Sequence, residues 1–307
     1  MTCSVAWDDA GLPAWGSAPR ASFWVALEQN GPWGNKAFTQ SRLDPRLGAA
    51  IEDAAADAGG KALLIRRPAS HADTADHRQR RVYVAARLAG EPWLLAGEVA
   101  DPSDVLVLPF AALAEAGPSD IEAAVPWLRA ETGGVLLVCA NAKRDLCCAL
   151  RGRPIALDAE AARPGRVWEC THTGGHRFAP TGVVLPSGQS LGRITPELAL
   201  AALDAADSGR LAALSFGPWH DRGRGHLSPA EAVAEAHIRE LTGETGPAAL
   251  RTRDVLPGQV AVTHADGRTW TVRVARQTHP DALPESCAKP PVAAYGWSPE
   301  VVAESLT

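Results

Sequence analysis

Basic residues are too few and too scattered in this 307-residue chain to build a nucleic-acid surface. Thirty Lys and Arg stand against 35 Asp and Glu, the net charge is -5, and no tract concentrates either sign. Long apolar runs are missing as well. No stretch approaches the ~20 apolar residues of a membrane-spanning helix, and Met1 to Trp15 holds no basic segment followed by an apolar run, so the expectation is a cytoplasmic protein. Neither a membrane nor a nucleic acid is expected as partner. No G-x-G-x-x-G loop is present, which argues against NAD(P)H binding through a Rossmann fold. The absence of a C-x-x-C pair weakens a thioredoxin-type dithiol reading. Six cysteines are too few and too clustered for a secreted disulfide framework; in a reducing compartment such a cluster points to metal binding or redox chemistry.

What is present is an apolar fraction of 46%, enough for two or three small cores. The pattern predicts an α/β (mixed α+β) protein in three segments: an N-terminal α/β segment over 1–130, a cysteine-bearing segment over 131–210 and a C-terminal α+β segment over 211–307. In the first, a strand at Phe23 to Leu27 leads through Gly31-Pro32-Trp33-Gly34 to a helix from Asp44 to Ala58. Strands at Ala62 to Ile65, Arg81 to Ala86 and Trp93 to Glu98 follow, and Asp104 to Leu113 passes into helical, alanine-rich sequence. The second segment opens on a buried strand, Val135 to Val138, that ends at Cys139. A helix capped by Asp145 carries Cys147 and Cys148; after it come a strand at Val167 to Thr171, a hairpin turning at Pro186-Ser187-Gly188 and a helix from Pro196 to Asp207. The first two segments thus share a strand-helix-strand-strand order, as an old duplication would leave. The third has a helix starting at Ser228-Pro229, a hairpin turning at Asp266-Gly267, and a proline-rich tail with no clear pattern.

Chemistry concentrates in the middle. Cys139 and Cys148 lie on one loop-and-helix connection, and His172-Thr173-Gly174-Gly175-His176 follows the next strand. Thiolate with imidazole suits Zn²⁺ or an iron-sulfur cluster and disfavours Mg²⁺ or Ca²⁺, which prefer oxygen. The cysteines are farther apart than in most structural zinc sites, and two glycines between the histidines disfavour a zinc-finger helix. A larger [2Fe-2S] rhomb tolerates the wide spacing, with glycines letting the backbone approach. The order Cys, Cys, His, His differs from Rieske boxes, where each box holds one Cys and one His. Spacing alone leaves zinc and cluster open.

Three stretches carry a resemblance: Leu137-Val138-Cys139-Ala140-Asn141, then Arg144 to Pro154 with Cys147-Cys148, and His172 to Ala179 with its H-x-G-G-H element. Together they resemble the sucrase/ferredoxin-like family of thioredoxin-like ferredoxins, with weaker similarity at Gly31 to Gly34, Leu64 to Pro68 and Leu227 to Glu231. The resemblance implies a thioredoxin-like core for the central segment and a [2Fe-2S] cluster held by Cys139, Cys148, His172 and His176. It implies an electron carrier or redox module rather than a stand-alone enzyme, served by a separate reductase as electron donor and by an acceptor. Neither partner is identified by the sequence. No carboxylate pair suggests glycoside cleavage. With two neutral imidazoles in place of two thiolates, reduction should be easier than in plant-type ferredoxins, and uptake of a proton by an imidazole is expected to accompany the electron. A thioredoxin-like thiol oxidoreductase and a structural zinc domain are the competing readings.

The remaining polar residues have plainer readings. Adjacent helical positions point about 100° apart, so Cys147 is expected to be a packed thiol rather than a second ligand on that helix. Cys170, two residues before His172, is the main rival ligand, with a core role as its default. Cys3 and Cys287 are isolated and receive no function. The loop His220 to His226 reads as basic, flexible and available for docking, and Arg66 and Arg67 as groups that steer an acidic partner or simply face water. Trp33, Trp168 and Trp219 lie beside turns or proposed ligands, where core packing is their default.

Overall fold

The computed structural model describes residues 2–70, 79–287 and 289–306. A short helix, α1 (Cys3–Asp9), precedes β1 (Trp24–Glu28), α2 (Ala37–Gln40), α3 (Pro45–Asp57), β2 (Lys61–Arg66), β3 (Arg80–Ala86) and β4 (Trp93–Val99). The chain then runs through α4 (Pro118–Ala124), β5 (Leu128–Ala130), β6 (Val135–Cys139), α5 (Leu146–Ala162), β7 (Val167–Cys170), β8 (Gly182–Leu185), β9 (Gln189–Leu191) and α6 (Pro196–Asp207). The last part holds β10 (Asp221–Arg224), α7 (Pro229–Thr242), β11 (Leu250–Leu256), β12 (Gln259–His264), β13 (Arg268–Pro284) and β14 (Pro291–Leu306).

Ten strands form one mixed sheet in the order β10-β9-β8-β6-β7-β2-β1-β3-β4-β5, and β11 to β14 form a second, antiparallel sheet. The large sheet consists of two like halves. In the first, β1 pairs parallel with β2 and antiparallel with β3; in the second, β6 pairs parallel with β7 and antiparallel with β8. The halves meet where β2 and β7 run antiparallel, Ile65 opposite Cys170 and Arg66 opposite Glu169. Segments 1–130 and 131–210 therefore share a sheet, and 211–307 adds β10 to its edge.

The strands read as continuous apolar runs because both faces are covered. Alternate residues of β1 and β2, among them Val25, Leu27 and Leu64, pack with Ile51 and Ala55 of α3. Leu136, Val138 and Val167 pack with Ile155 of α5 and Leu198 of α6. Their neighbours Trp24, Leu63, Ile65, Leu137, Cys139, Trp168 and Cys170 form one core common to both halves. Local signals set the helix ends. Asp44 caps α3 by accepting from the Arg46 and Leu47 amides, Asp145 caps α5 by accepting from Cys147 N at 3.0 Å, and Ser228 with Glu231 closes a capping box on α7.

Four readings of the sequence differ from the fold. The expected helix over Asp104 to Leu113 is two short 3-10 turns, Pro102–Val107 and Phe110–Ala112; Pro109 between them offers no amide to an α-helical ladder. The proline-rich tail is a long ribbon, β13 paired with β14, and Pro280 falls where the register slips between Thr278 and Ala282, a place where a missing amide costs no ladder bond. The loop taken as flexible and basic is strand β10, with Asp221, Arg222 and Arg224 buried. Arg224 and Arg239 both bond Glu235, and Arg222 Nε donates to Ser17 Oγ at 3.1 Å. Partnering makes the burial of Arg224 tolerable, whereas Arg222 meets only Ser17 among the described residues and keeps one guanidinium nitrogen without a partner. Arg66 is buried as well, ion-paired to Glu169 at 2.7 Å and stacked 4.0 Å over Trp33, whereas Arg67 lies over Trp168 at 3.9 Å.

Removing one partner of a buried ion pair strands the other charge. Glu169→Gln and Glu235→Gln should therefore each lower the unfolding free energy by about 3–5 kcal/mol, measured by urea denaturation at neutral pH. Burial raises the Glu235 pKa, but Arg224 and Arg239 outweigh it and hold the carboxyl at about 2, against an ordinary 4.5. Its contribution is thus complete above 4.5 and is lost as pH falls toward 2. Unfolding of wild type and Glu235→Gln across this window should show the difference between them shrinking as the pH drops.

Candidate metal centre

Parallel strands with a helix between them leave their carboxyl ends open as a natural site, and β6 and β7 do so here. Cys139 ends β6 directly opposite Cys170, which ends β7. The next residues of the β6 end turn into α5, whose first turn carries Cys148. Gly152 permits this approach: a Cβ there would strike the Cys139 carbonyl oxygen, so the absence of a side chain lets α5 lie against the strand. The loop after β7 brings in His172, and a ligating atom from each of Cys139, Cys148 and His172 falls within 4.8 Å of the other two. Both cysteines are fully buried.

His176 stands next to this group. Its ring centroid is 5.1 Å from that of His172, Nε2 lies 2.9 Å from the Glu285 carbonyl oxygen, and Nδ1 is 3.7 Å from Asp145 Oδ2. A carbonyl can only accept, so Nε2 carries the proton and Nδ1 keeps its lone pair. The Nδ1 atoms of His172 and His176 are both buried without a hydrogen-bond partner, a costly arrangement unless something else uses them. His172 and His176 are thus brought together with both thiols nearby, although the 4.8 Å group itself contains His172 and not His176.

The electrostatics separate the thiols. Cys139 is pushed well below the ordinary thiol range, chiefly by a hydrogen bond from Cys148 and, against the penalty of burial, by His172 and the Thr173 amide. Cys148, the donor in that pair, is pushed up, as burial also requires. Burial pushes Cys170 up too, which leaves it a neutral thiol in the shared core. Cys147 points elsewhere, into a group with Cys3, Cys287 and Asp145, so the two cysteines without sequence neighbours are neither isolated nor apart. No spacing could have shown this, because the three thiols come from positions 3, 147 and 287. The three tryptophans divide: Trp33 and Trp168 are buried, and Trp219 is 40% exposed, lying under Arg193 at 3.7 Å.

The donor set fits a thiophilic metal group: two soft thiols and two borderline imidazoles whose Nδ1 atoms lack hydrogen-bond partners, at a buried sheet end. Beside it, a cleft of about 370 Å³ reaches His172 and is lined by Lys36, Lys61, Asn141 and Arg144 among others. The loop that carries both histidines turns through Gly174 and Gly175, with φ of +75° and +63°. A Cβ at Gly175 would run into the buried Arg222 guanidinium, whereas at Gly174 it would meet nothing nearer than 3.8 Å. Gly174→Ala should lose about 1–3 kcal/mol from left-handed backbone alone, and Gly175→Ala clearly more, as read by urea unfolding of the two variants side by side.

Residues 14–208, well over half of the chain, match the sucrase/ferredoxin-like family. No curated protein and no solved structure matches the chain. Among the described residues no helix is long and apolar enough to cross a membrane. Nine of the ten strands of the mixed sheet, β1 to β9, the paired cysteines at its open end and the H-x-G-G-H loop lie within the matched region, and the chain belongs to the sucrase/ferredoxin-like family.

Proposed function

We propose that this protein is a one-electron carrier or redox module in which Cys139, Cys148, His172 and His176 hold a [2Fe-2S] cluster. The observation that carries the reading is the convergence of two thiols and an imidazole within 4.8 Å at the open carboxyl end of a βαβ unit, with a second imidazole 5.1 Å from the first. A family named for ferredoxin points the same way. When bound, such a cluster supplies reversible one-electron transfer.

The chain's own groups are suited to that task. Cys139 already favours the thiolate, the form that ligates, and Cys148 gives up its proton on binding. The Glu285 carbonyl fixes the His176 tautomer from behind, as ligating imidazoles require. Buried strands on one side restrict water, while the cleft beside His172 exposes Lys36, Lys61 and Arg144 with Glu52 as the one acid among its lining residues. A cationic opening of this kind favours an acidic donor or acceptor by long-range attraction. The reductase that supplies the electron and the acceptor that takes it would dock there.

A second reading has an observation of its own. The Cys139 and Cys148 sulfurs lie within 4.8 Å of each other, with one thiol pushed down and the other up, an arrangement that would also suit a reactive dithiol, as in a thiol oxidoreductase. Iron and acid-labile sulfide analysis of protein purified without oxygen separates the two. Iron with sulfide, a rhombic EPR signal on reduction, and loss of that signal in Cys139→Ser, Cys148→Ser and His172→Ala but not in Cys170→Ala are expected. The midpoint potential should lie above the about -400 mV of plant-type ferredoxins. Protein that stays colourless and iron-free after anaerobic reconstitution would exclude the cluster; a metal-free dithiol would favour the second reading, and zinc alone a structural site.

A further inference from the structure

Three other features of the molecule were candidates for chemistry: the cationic cleft, which belongs to the site above; the exposed Leu146, Leu150 and Leu157 along α5, for which nothing shows an occupant; and a group of three thiols on the far side of the α5 N-terminus. The third carries an argument. We propose that Cys3, Cys147 and Cys287, with Asp145, form a second metal site that takes a single thiophilic divalent cation, zinc above all. The inference is independent of what the first site holds.

The three sulfurs form a closed triangle. Cys3 Sγ lies 3.4 Å from Cys147 Sγ, Cys147 Sγ 2.9 Å from Cys287 Sγ, and Cys287 Sγ 3.5 Å from Cys3 Sγ. All three exceed the ~2.05 Å of a disulfide; two approach the roughly 3.8 Å between thiolates held tetrahedrally at about 2.3 Å from zinc, and the Cys147–Cys287 pair at 2.9 Å would have to open by about 0.9 Å to admit the ion. A disulfide would use two sulfurs and strand the third, whereas a tetrahedral cation uses all three. Asp145 supplies the fourth corner, its Oδ1 being 3.8 Å from Cys3 Sγ. Its carboxylate is held in place by three donors: the Cys147 amide at 3.0 Å, the Ser286 hydroxyl at 2.9 Å and the Cys287 amide at 3.0 Å. Each oxygen can accept more than one bond, so Oδ1 has a lone pair to spare. All four ligating atoms lie within 4.8 Å of one another.

The surroundings agree with binding. Cys147 sits in the first turn of a 17-residue helix, where amide dipoles favour the thiolate. A hydrogen bond from Cys3, opposing the effect of burial, lowers its pKa to about 5. Cys3 and Cys287 are raised, so each would release a thiol proton to solvent as it bound. Cys287 is exposed and gives the ion a path in, while Cys3 and Cys147 are buried. Immediately around the sulfurs the apolar cluster is only Cys3, Cys147 and Ala179; α1 is otherwise held to the ribbon by Trp7 and its neighbours and to α5 by the Asp8–Arg151 ion pair. A cation across sequence separations of 144 and 140 residues would fasten all three.

The test uses full-length protein purified without oxygen and stripped with a chelator, then titrated with Zn²⁺ and, in parallel, with Co²⁺. Wild type should take up one more equivalent of zinc than Cys287→Ser, and its cobalt form should show thiolate-to-metal charge-transfer bands that weaken in Cys287→Ser and in Cys3→Ser. Iron content of the protein as purified, before the chelator step, should be the same in wild type and Cys287→Ser, which separates this site from Cys139 and Cys148. Because Cys287 is exposed, its substitution keeps the fold, and far-ultraviolet circular dichroism checks this. Equal zinc uptake by wild type and folded Cys287→Ser would overturn the proposal. So would a Cys147–Cys287 disulfide found by mass spectrometry in the anaerobic preparation.

Discussion

The two halves of the large sheet are joined by very little regular pairing. Ile65 faces Cys170, Arg66 faces Glu169, and the Arg66–Glu169 ion pair beside them has both side chains buried. Two further bonds extend the seam: Thr171 N donates to the Leu64 carbonyl at 2.9 Å, and Leu64 N to the Thr171 hydroxyl at 3.0 Å. A buried ion pair contributes little net stability compared with an apolar pair, but it is intolerant of displacement, because a slip leaves both charges unpaired. The seam thereby fixes the register of β2 against β7. Everything at the carboxyl end of β7, including the H-x-G-G-H loop, inherits its position from that register.

The candidate metal centre then follows from a short stretch of chain. Cys139, Cys148, His172 and His176 all come from one strand-helix-strand unit and the loop after it, so few long-range contacts are needed to assemble them. Close packing does the rest. Gly152 allows α5 to touch the Cys139 carbonyl, and Gly175 leaves room for the Arg222 guanidinium beneath the histidine loop. Besides Arg222, a long-range contribution is the Glu285 carbonyl against His176, which comes from the end of the C-terminal ribbon. The C-terminal segment thus touches the centre through the backbone.

Asp145 connects the two groups of thiols. Its carboxylate caps α5 through the Cys147 amide, receives bonds from Ser286 and Cys287, and lies 3.7 Å from His176 Nδ1. The vicinal pair Cys147-Cys148 divides between the groups because successive residues of a helix diverge by about 100°. A single helix N-terminus, with its favourable dipole for anions, therefore faces thiols on two sides. Burial pushes the Asp145 pKa up, but the amide of Cys287 and the side chains of Cys287 and Ser286 hold it below the ordinary carboxylate value, which keeps the carboxylate charged beside both groups.

Local sequence determined much of this protein. Apolar runs gave β1, β2, β6 and β7; Asp44, Asp145 and Ser228 marked helix starts; Pro186-Ser187-Gly188 and Asp266-Gly267 marked hairpins. These signals act over a few residues, so a linear reading captures them. The spacing of Cys139, Cys148, His172 and His176 was legible for the same reason, since all four lie within one supersecondary unit. Only the tertiary structure decided which charges are buried, because Arg66, Arg222 and Arg224 look like surface residues until Glu169, Ser17 and Glu235 come to meet them. It alone paired the proline-rich tail into β13 and β14, where strand partners sit far apart in sequence and proline is tolerated at a slip in register. It also brought Cys3 and Cys287 to Cys147, for contacts between chain ends leave no periodicity, spacing or turn residue by which a sequence could announce them.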